Sequence, residues 1–196
     1  MLSFRPVHIA TLCSALMECP QVYAEQPFVL NIAHMNDTHS KFDPVEATLR
    51  NPALAGEGVQ NATVYTRLGG YPRLLSMTKT LQAEAQQRNQ AMLTLHGGDA
   101  WQGSGYFKLN EGMANADLLN QFGIDAMVLG NHEFDLNNQK LARFIQAVNF
   151  PLLAANMDAS QEPVLNGIAN LKPFALFSFE GNQKAAVTDL DRLPQG

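Results

Sequence analysis

The chain has 196 residues, of which 46% are hydrophobic and 16% are charged, and its formal net charge is −5. A charged fraction below the roughly 25% of ordinary soluble chains, together with abundant apolar residues, excludes an intrinsically disordered protein. The sequence contains no cluster of lysine and arginine and no apolar run of about 18 residues, so we expect neither unaided nucleic-acid binding nor a transmembrane helix.

Residues 1–24 have the features of a secretory signal peptide. Arg5 supplies a positive start, an apolar stretch covers 7–17, and residues of suitable size precede a cleavage site before Glu25. Both cysteines of the chain lie inside this segment, so the mature chain is expected to contain no disulfide. We therefore predict export to the periplasm or the extracellular space. The alternative reading is a loose N-terminal arm.

The remaining sequence alternates between apolar runs typical of strands and amphipathic segments typical of helices. In chain order the predicted elements are strand 28–34, loop 41–69, helix 71–88, strand 92–95, helix 111–122, strand 126–129, a helix around 141–148 and strand 152–155. The loop prediction rests on the prolines, glycines and small residues of that segment. Strands that alternate with helices predict βαβ units and a mainly parallel sheet, and therefore an α/β fold.

Polar clusters follow all four predicted strands. These clusters are Asp37 with His39, Asp99, Asn131 with His132, and Asn156. In open α/β sheets, functional sites lie just beyond the carboxyl ends of the strands. We therefore expect these side chains to meet in space, although they are distant in sequence.

Two of these clusters have chemistry that suits metal binding. Asp37 and His39 are two residues apart, so in an extended segment both side chains can reach one ion. Asp99 follows two glycines that let the backbone approach closely, and its carboxylate could bridge two cations. Taken singly, each pattern is also explained by an ordinary polar turn.

The segment Gly130-Asn131-His132-Glu133 is the most specific pattern in the chain. Asn131 offers a neutral carbonyl ligand, and His132 is placed beside the metal ions without needing to bind one. Asp135, three residues further on, can accept a hydrogen bond from the imidazole of His132. Such a bond would fix the tautomer of the ring and favour the imidazolium.

Together, the D-x-H, GGD and GNHE motifs, each after a predicted strand, resemble those of the calcineurin-like metallophosphoesterases. The likeness extends to the 5′-nucleotidase branch of that superfamily. The residues that carry it are 36–40, Gly69, Gly70, Arg73, 98–100, 102–104, 130–135, Ala155 and Asn156. The resemblance covers roughly residues 28–180 and implies the N-terminal half of a four-layer αββα domain.

The resemblance also implies a site with two divalent metal ions, such as zinc or manganese. Asp37 and His39 resemble the ligands of the first ion, Asp99 resembles the bridging ligand, and Asn131 resembles a ligand of the second. The implied substrate is a nucleotide or another phosphate ester.

The implied catalytic residues are His132 and Asp135. His132 resembles the residue that stabilises the transition state, and Asp135 resembles its orienting partner. His34 and His96, on the first two predicted strands, are expected to be core or rim histidines. A contact behind the metal ligands is the alternative for both.

The sequence departs from the family in its second half. The family completes its metal site with further histidines, whereas this chain has no histidine after His132. We therefore expect residues 25–185 to form a partial, apparently truncated domain, 186–196 to be a divergent tail, and the family's C-terminal nucleotide-binding domain to be absent. Two functions remain open: a dimetal phosphoesterase, or an inactive remnant that binds at most one metal ion.

Overall fold

The computed structural model describes residues 27–51 and 62–188 of the chain. Its elements in chain order are β1 (Leu30–Met35), β2 (Val45–Asn51), β3 (Ala62–Leu68), α1 (Tyr71–Gln87), β4 (Ala91–His96), α2 (Gly105–Asn110), α3 (Met113–Leu119), β5 (Ala126–Val128), a 3-10 turn (His132–Phe134), α4 (Asn138–Ala147), β6 (Leu152–Leu153), β7 (Leu171–Lys172), β8 (Phe177–Glu180) and β9 (Gln183–Ala186). The predicted signal peptide and residues 189–196 of the predicted tail lie outside the described residues.

Five strands form one parallel sheet in the order β1-β4-β5-β6-β7, which confirms the predicted α/β fold. The register of β1 on β4 runs from Leu30 beside Ala91 to Met35 beside His96. The two strands therefore end side by side, and the loops that follow them start at the same edge of the sheet. β2 with β3 and β8 with β9 form two separate antiparallel hairpins.

The helices cover one face of the sheet. Met127 of β5 and Leu152 of β6 are fully buried in the same apolar cluster as Phe144 and Ile145 of α4. The opposite face is partly open, since Ile32 is 59% exposed. In the part of the chain that the structure describes, we find no helix with the length and apolarity needed to span a bilayer.

Two predicted elements differ from the structure. The segment predicted as loop 41–69 contains β2 and β3, whose alternating side chains were obscured in the sequence by neighbouring prolines and glycines. The predicted helix 111–122 is shorter in the structure, where α3 covers Met113–Leu119, and a separate helix, α2, precedes it at Gly105–Asn110. Glu111 and Gly112 separate the two helices, with φ of 50° and 83°. A side chain at Gly112 would place its Cβ 2.4 Å from Cε2 of Trp101, so this tight packing requires the glycine.

Candidate metal centre

The loops after β1 and β4 run alongside each other and carry the first three candidate ligands. The amide of Asp37 donates to the carbonyl of Gly98 at 3.0 Å, and the amide of His39 donates to the carbonyl of Asp99 at 3.1 Å. These bonds continue the pairing of β1 with β4 beyond the strands. The parallel register therefore brings the D-x-H and GGD motifs together.

The loop after β5 adds His132 to this pair of loops. His39, Asp99 and His132 each offer one ligand atom, and these atoms all lie within 4.8 Å of one another. Asp37 is adjacent, with Oδ1 3.7 Å from Nε2 of His39. Asn131, one residue before His132, has an exposed side chain. The structure therefore gathers residues from three strand ends into a group that could hold a metal ion. Asn156, the polar residue predicted to follow the fourth strand, lies after β6 and has an exposed side chain.

The hydrogen bonding of His39 suits a metal ligand. Its Nδ1 lies 3.0 Å from the carbonyl oxygen of Trp101. Because a carbonyl oxygen only accepts hydrogen bonds, Nδ1 carries the proton and Nε2 keeps a free lone pair. A backbone carbonyl that fixes the tautomer in this way is the usual support of a metal-binding imidazole. The donor set, an oriented imidazole with carboxylates, therefore fits a divalent cation such as zinc or manganese.

The site loops hold several residues in a left-handed backbone conformation. Asp37, His39, Ser40, Asp99 and Gln102 have φ between 44° and 73°. This region is unfavourable for residues with a Cβ, and such residues concentrate at functional sites. Asp37, His39 and Asp99, three of the candidate ligands, are among these residues.

His132 is linked to two further polar side chains. Its Nδ1 lies 2.6 Å from Oδ2 of Asp135, and the same carboxylate oxygen accepts from Nε2 of Gln102 at 2.5 Å. The hydrogen bond to Asp135 raises the pKa of His132, and the bonds from His132 and Gln102 lower the pKa of Asp135. Nδ1 of His132 therefore carries a proton that points at Asp135, which leaves Nε2 to face other groups.

Glu133 is a residue of the site that the sequence-based reasoning overlooked. Its side chain is fully buried, and its two carboxylate oxygens accept four backbone N–H bonds. Oε2 accepts from Asp99 and Gly130, and Oε1 accepts from Ala100 and Trp101, at 2.8 to 3.2 Å. Burial raises the pKa of Glu133, and these donors counteract that rise.

The carboxylate of Glu133 therefore joins the loop of Asp99 to the loop of Asn131 and His132. A further bond, from the amide of His132 to Oδ1 of Asp99 at 3.0 Å, closes the same junction. The approach is tight, because a Cβ on Gly130 would lie 2.2 Å from Oδ1 of Asp99. The sequence signal for this junction was the GNHE motif itself, which contains both Gly130 and Glu133.

His96 is buried behind the loops rather than among the candidate ligands. Burial, and secondarily the charge of His34, lower the pKa of His96 from 6.5 to about 4. The ring is therefore neutral at physiological pH. The structure agrees with the reading of His96 as a core histidine, and it adds a contact with Thr38, which lies between Asp37 and His39.

Comparisons with known proteins agree with the resemblance noted in the sequence. Residues 30–192 match the family model described as calcineurin-like phosphoesterase. The chain is 35% identical over 188 residues to a probable 5′-nucleotidase of Treponema pallidum, which is 95% of this chain and 29% of that protein. It is 31% identical over 174 residues to the NAD 5′-nucleotidase of Haemophilus influenzae, which is 89% of this chain and 26% of that protein.

The fold is also similar to solved structures. The 5′-nucleotidase precursor of Thermus thermophilus superposes with a TM-score of 0.64 at 33% identity, over 81% of this chain and 28% of that one. The chain thus spans less than a third of the length of these relatives.

Proposed function

The chain belongs to the calcineurin-like phosphoesterase family, and from that premise we propose that it contributes a dimetal site for hydrolysis of the phosphate esters of nucleotides. The observation that carries the proposal is the convergence of His39, Asp99 and His132 from three strand ends. The relatives described as 5′-nucleotidases support a nucleotide substrate. Because the chain spans about 29% of the first of them, the activity of the whole relative stays part of the proposal.

In the proposed centre, Asp37 and His39 would hold the first ion, Asp99 would bridge the two ions, and Asn131 would hold the second. The free Nε2 of His39 and the adjacent carboxylate of Asp37 support the first assignment. The bridging role is proposed for Asp99 because its carboxylate lies in the same group as the ligand atoms of His39 and His132. When bound, divalent cations supply positive charge and Lewis acidity towards a phosphate group.

His132 is proposed to act on the substrate directly, with Asp135 as its orienting partner. The hydrogen bond to Asp135 raises the pKa of His132, which favours the imidazolium near neutral pH. Nε2 of the imidazolium would donate to a phosphoryl oxygen on which negative charge develops. Asp135, whose pKa is lowered by His132 and Gln102, stays ionised and keeps the ring in one orientation.

The experiment that tests the metal centre is calorimetric titration of the purified chain with Mn²⁺ or Zn²⁺. We expect binding that Asp99→Ala weakens strongly and that Asp117→Ala leaves unchanged. Asp117 is an exposed carboxylate on α3 and serves as the matched control. Two bound ions per chain support the dimetal proposal, whereas one weakly bound ion supports the alternative of an inactive remnant. Equal binding by wild type and Asp99→Ala would contradict the proposed centre.

Hydrolysis is tested separately, as phosphate release from AMP in the presence of Mn²⁺. The proposal expects release that is lost in Asp99→Ala and His132→Ala and retained in Asp117→Ala. Release that persists in the first two variants would point to a contaminating phosphatase, and no release with any metal would contradict hydrolysis by this chain.

We also propose that the chain is exported, on the basis of residues 1–24. A fusion of this segment to a reporter that is active only outside the cytoplasm should give activity. Replacing Arg5 and the apolar residues of 7–17 by acidic residues should abolish it. Equal activity of both fusions would contradict export.

A further inference from the structure

His96, the last residue of β4, is a buried histidine with both ring nitrogens engaged. It is 1% exposed, and its Nδ1 accepts a hydrogen bond from the amide of Gly98 at 3.1 Å. An amide N–H can only donate, so Nδ1 holds the lone pair and the proton of the neutral ring is on Nε2. Nε2 lies 3.2 Å from Oγ1 of Thr38 and therefore donates to that hydroxyl. The backbone of the GGD loop thus fixes the tautomer of His96.

Thr38 connects His96 to the start of α1 through a second hydrogen bond. Its Oγ1 is 2.8 Å from the hydroxyl of Tyr71, and both side chains are buried. The Thr38 hydroxyl accepts a hydrogen bond from Nε2 of His96 and forms a second hydrogen bond with the hydroxyl of Tyr71. Burial raises the pKa of Tyr71, so its hydroxyl stays protonated and can take part in this bond. The three side chains join the end of β4, the loop after β1 and the first residue of α1.

The position of Thr38 makes this network relevant to the site. Thr38 stands between Asp37 and His39, whose left-handed backbones have φ of 51° and 44°. The amides of Asp37 and His39 are bonded to the GGD loop, and the inward bond of Thr38 is the third attachment of the same segment. Thr38 is buried, whereas Asp37 before it is exposed and His39 after it is half-buried in the candidate centre.

We propose that His96 is a positioning residue that acts through Thr38 to hold Asp37 and His39 in place for the metal ion. The inference rests on the metal centre proposed above. It assigns a role to a histidine that is not itself in the group of candidate ligands and whose ring nitrogens are engaged by Thr38 and Gly98. Residues that orient metal ligands in this way typically change metal affinity by about 10- to 100-fold when they are lost.

Two substitutions at His96 separate its two contacts. The amide of His96→Gln reaches about as far as Nε2 and can still donate to Thr38, whereas the amide of His96→Asn reaches about as far as Nδ1 and can only keep the bond to Gly98. If His96 acts through Thr38, Mn²⁺ affinity should fall about tenfold in His96→Asn and remain close to wild type in His96→Gln. The reverse order would overturn the proposal.

Substitutions of Thr38 test the second link. Thr38→Val removes the hydroxyl at constant shape and should weaken Mn²⁺ binding as His96→Asn does, while Thr38→Ser should rescue it. The double variant with His96→Asn should bind no more weakly than the worse single variant, because both changes break one connection. Thr78→Val is the matched control, since Thr78 is a buried threonine of α1 whose hydroxyl donates to the carbonyl of Leu74 within the helix. Additive losses, or wild-type affinity in Thr38→Val, would overturn the proposal.

A measurement on the metal-free full chain keeps this inference apart from the proposed function. The ¹⁵N chemical shifts of His96 report which ring nitrogen carries the proton, and we expect a protonated Nε2 and a bare Nδ1. Amide exchange of residues 37–40 should accelerate in Thr38→Val and not in Thr78→Val. A protonated Nδ1 or unchanged exchange would overturn the role of His96. A wild-type chain that binds no Mn²⁺ but shows both signatures would instead contradict only the proposed metal centre.

Discussion

Replacement of Glu133 by glutamine is the sharpest perturbation that the structure offers, because this one side chain joins the loop of Asp99 to the loop of Asn131 and His132. The wild-type carboxylate accepts two backbone N–H bonds on each oxygen. Glutamine keeps one oxygen and replaces the other with an NH₂ group. That NH₂ group then faces two backbone donors that it cannot accept from. The change leaves the volume of the side chain almost unaltered, so it tests the hydrogen bonds rather than packing.

The magnitude follows from the four bonds. Two partly buried donors, on Asp99 and Gly130, lose their acceptor, at roughly 1–3 kcal/mol each. The two buried donors, on Ala100 and Trp101, exchange a charged acceptor for a neutral one, at roughly 1 kcal/mol each. Release of a buried charge whose pKa is raised offsets part of this loss. We expect Glu133→Gln to lower the free energy of unfolding by about 3 kcal/mol, and Glu133→Ala by about 5 kcal/mol.

Urea denaturation followed by circular dichroism measures this change, and amide hydrogen exchange locates it. Protection should fall first at the amides of Asp99 and Gly130 in Glu133→Gln. The control is Glu84→Gln, because Glu84 is exposed on α1 and pairs with Arg88, an interaction worth less than about 0.5 kcal/mol. A Glu133→Gln protein within about 0.5 kcal/mol of wild type, with unchanged amide protection, would refute the assigned role of the carboxylate.

Three further predictions concern other parts of the molecule. The pKa of His96 is about 4 in the folded chain and 6.5 when free, so between these pH values the unfolded state binds more protons. The metal-free protein should therefore lose up to about 3 kcal/mol of stability as the pH falls from 6.5 towards 4. Urea denaturation of His96→Gln should lack this part of the pH dependence. Gly112→Ala should lower the melting temperature by several degrees, since its Cβ would lie 2.4 Å from Trp101 and φ is 83°, and an unchanged melting temperature would contradict the packing described. Asp135→Asn should lower the pKa of His132 in an NMR titration, because Asp135 is the main cause of its rise, and an unshifted titration would show that the hydrogen bond is absent in solution.

The arrangement of the candidate ligands followed from the sequence because strand ends are easy to recognise. Apolar runs that stop at Asp37, Asp99 and Asn131 place these residues at one edge of any parallel sheet, whatever its exact register. The break between α2 and α3 was not predictable in the same way. It depends on the indole of Trp101 lying against Gly112, a contact between residues that no local pattern connects.

Glu133 and His96 show a second limit of the sequence. Both carry polar groups in the interior, and the hydrogen-bond partners of interior polar groups cannot be read from residue types alone. For Glu133 those partners are backbone amides, which leave no trace in residue type. For His96 the decisive neighbour is the amide of Gly98, because its hydrogen bond to Nδ1 fixes the tautomer of the ring. A histidine that serves only for packing would lack such a bond.

The parallel pairing of β1 with β4 has a consequence for how the protein folds. Its partners lie about 60 residues apart in sequence, and the loops of the candidate centre inherit that separation. Pairing of this kind requires closure of a large loop, whose entropic cost precedes the stabilising contacts, so it forms slowly compared with a helix or a hairpin. During synthesis, Asp37 and His39 emerge long before Asp99 and His132, and α1 is complete before β4 is available. The metal centre is therefore expected to be among the last parts of the described fold to assemble, and a metal ion present early would meet only half of its ligands.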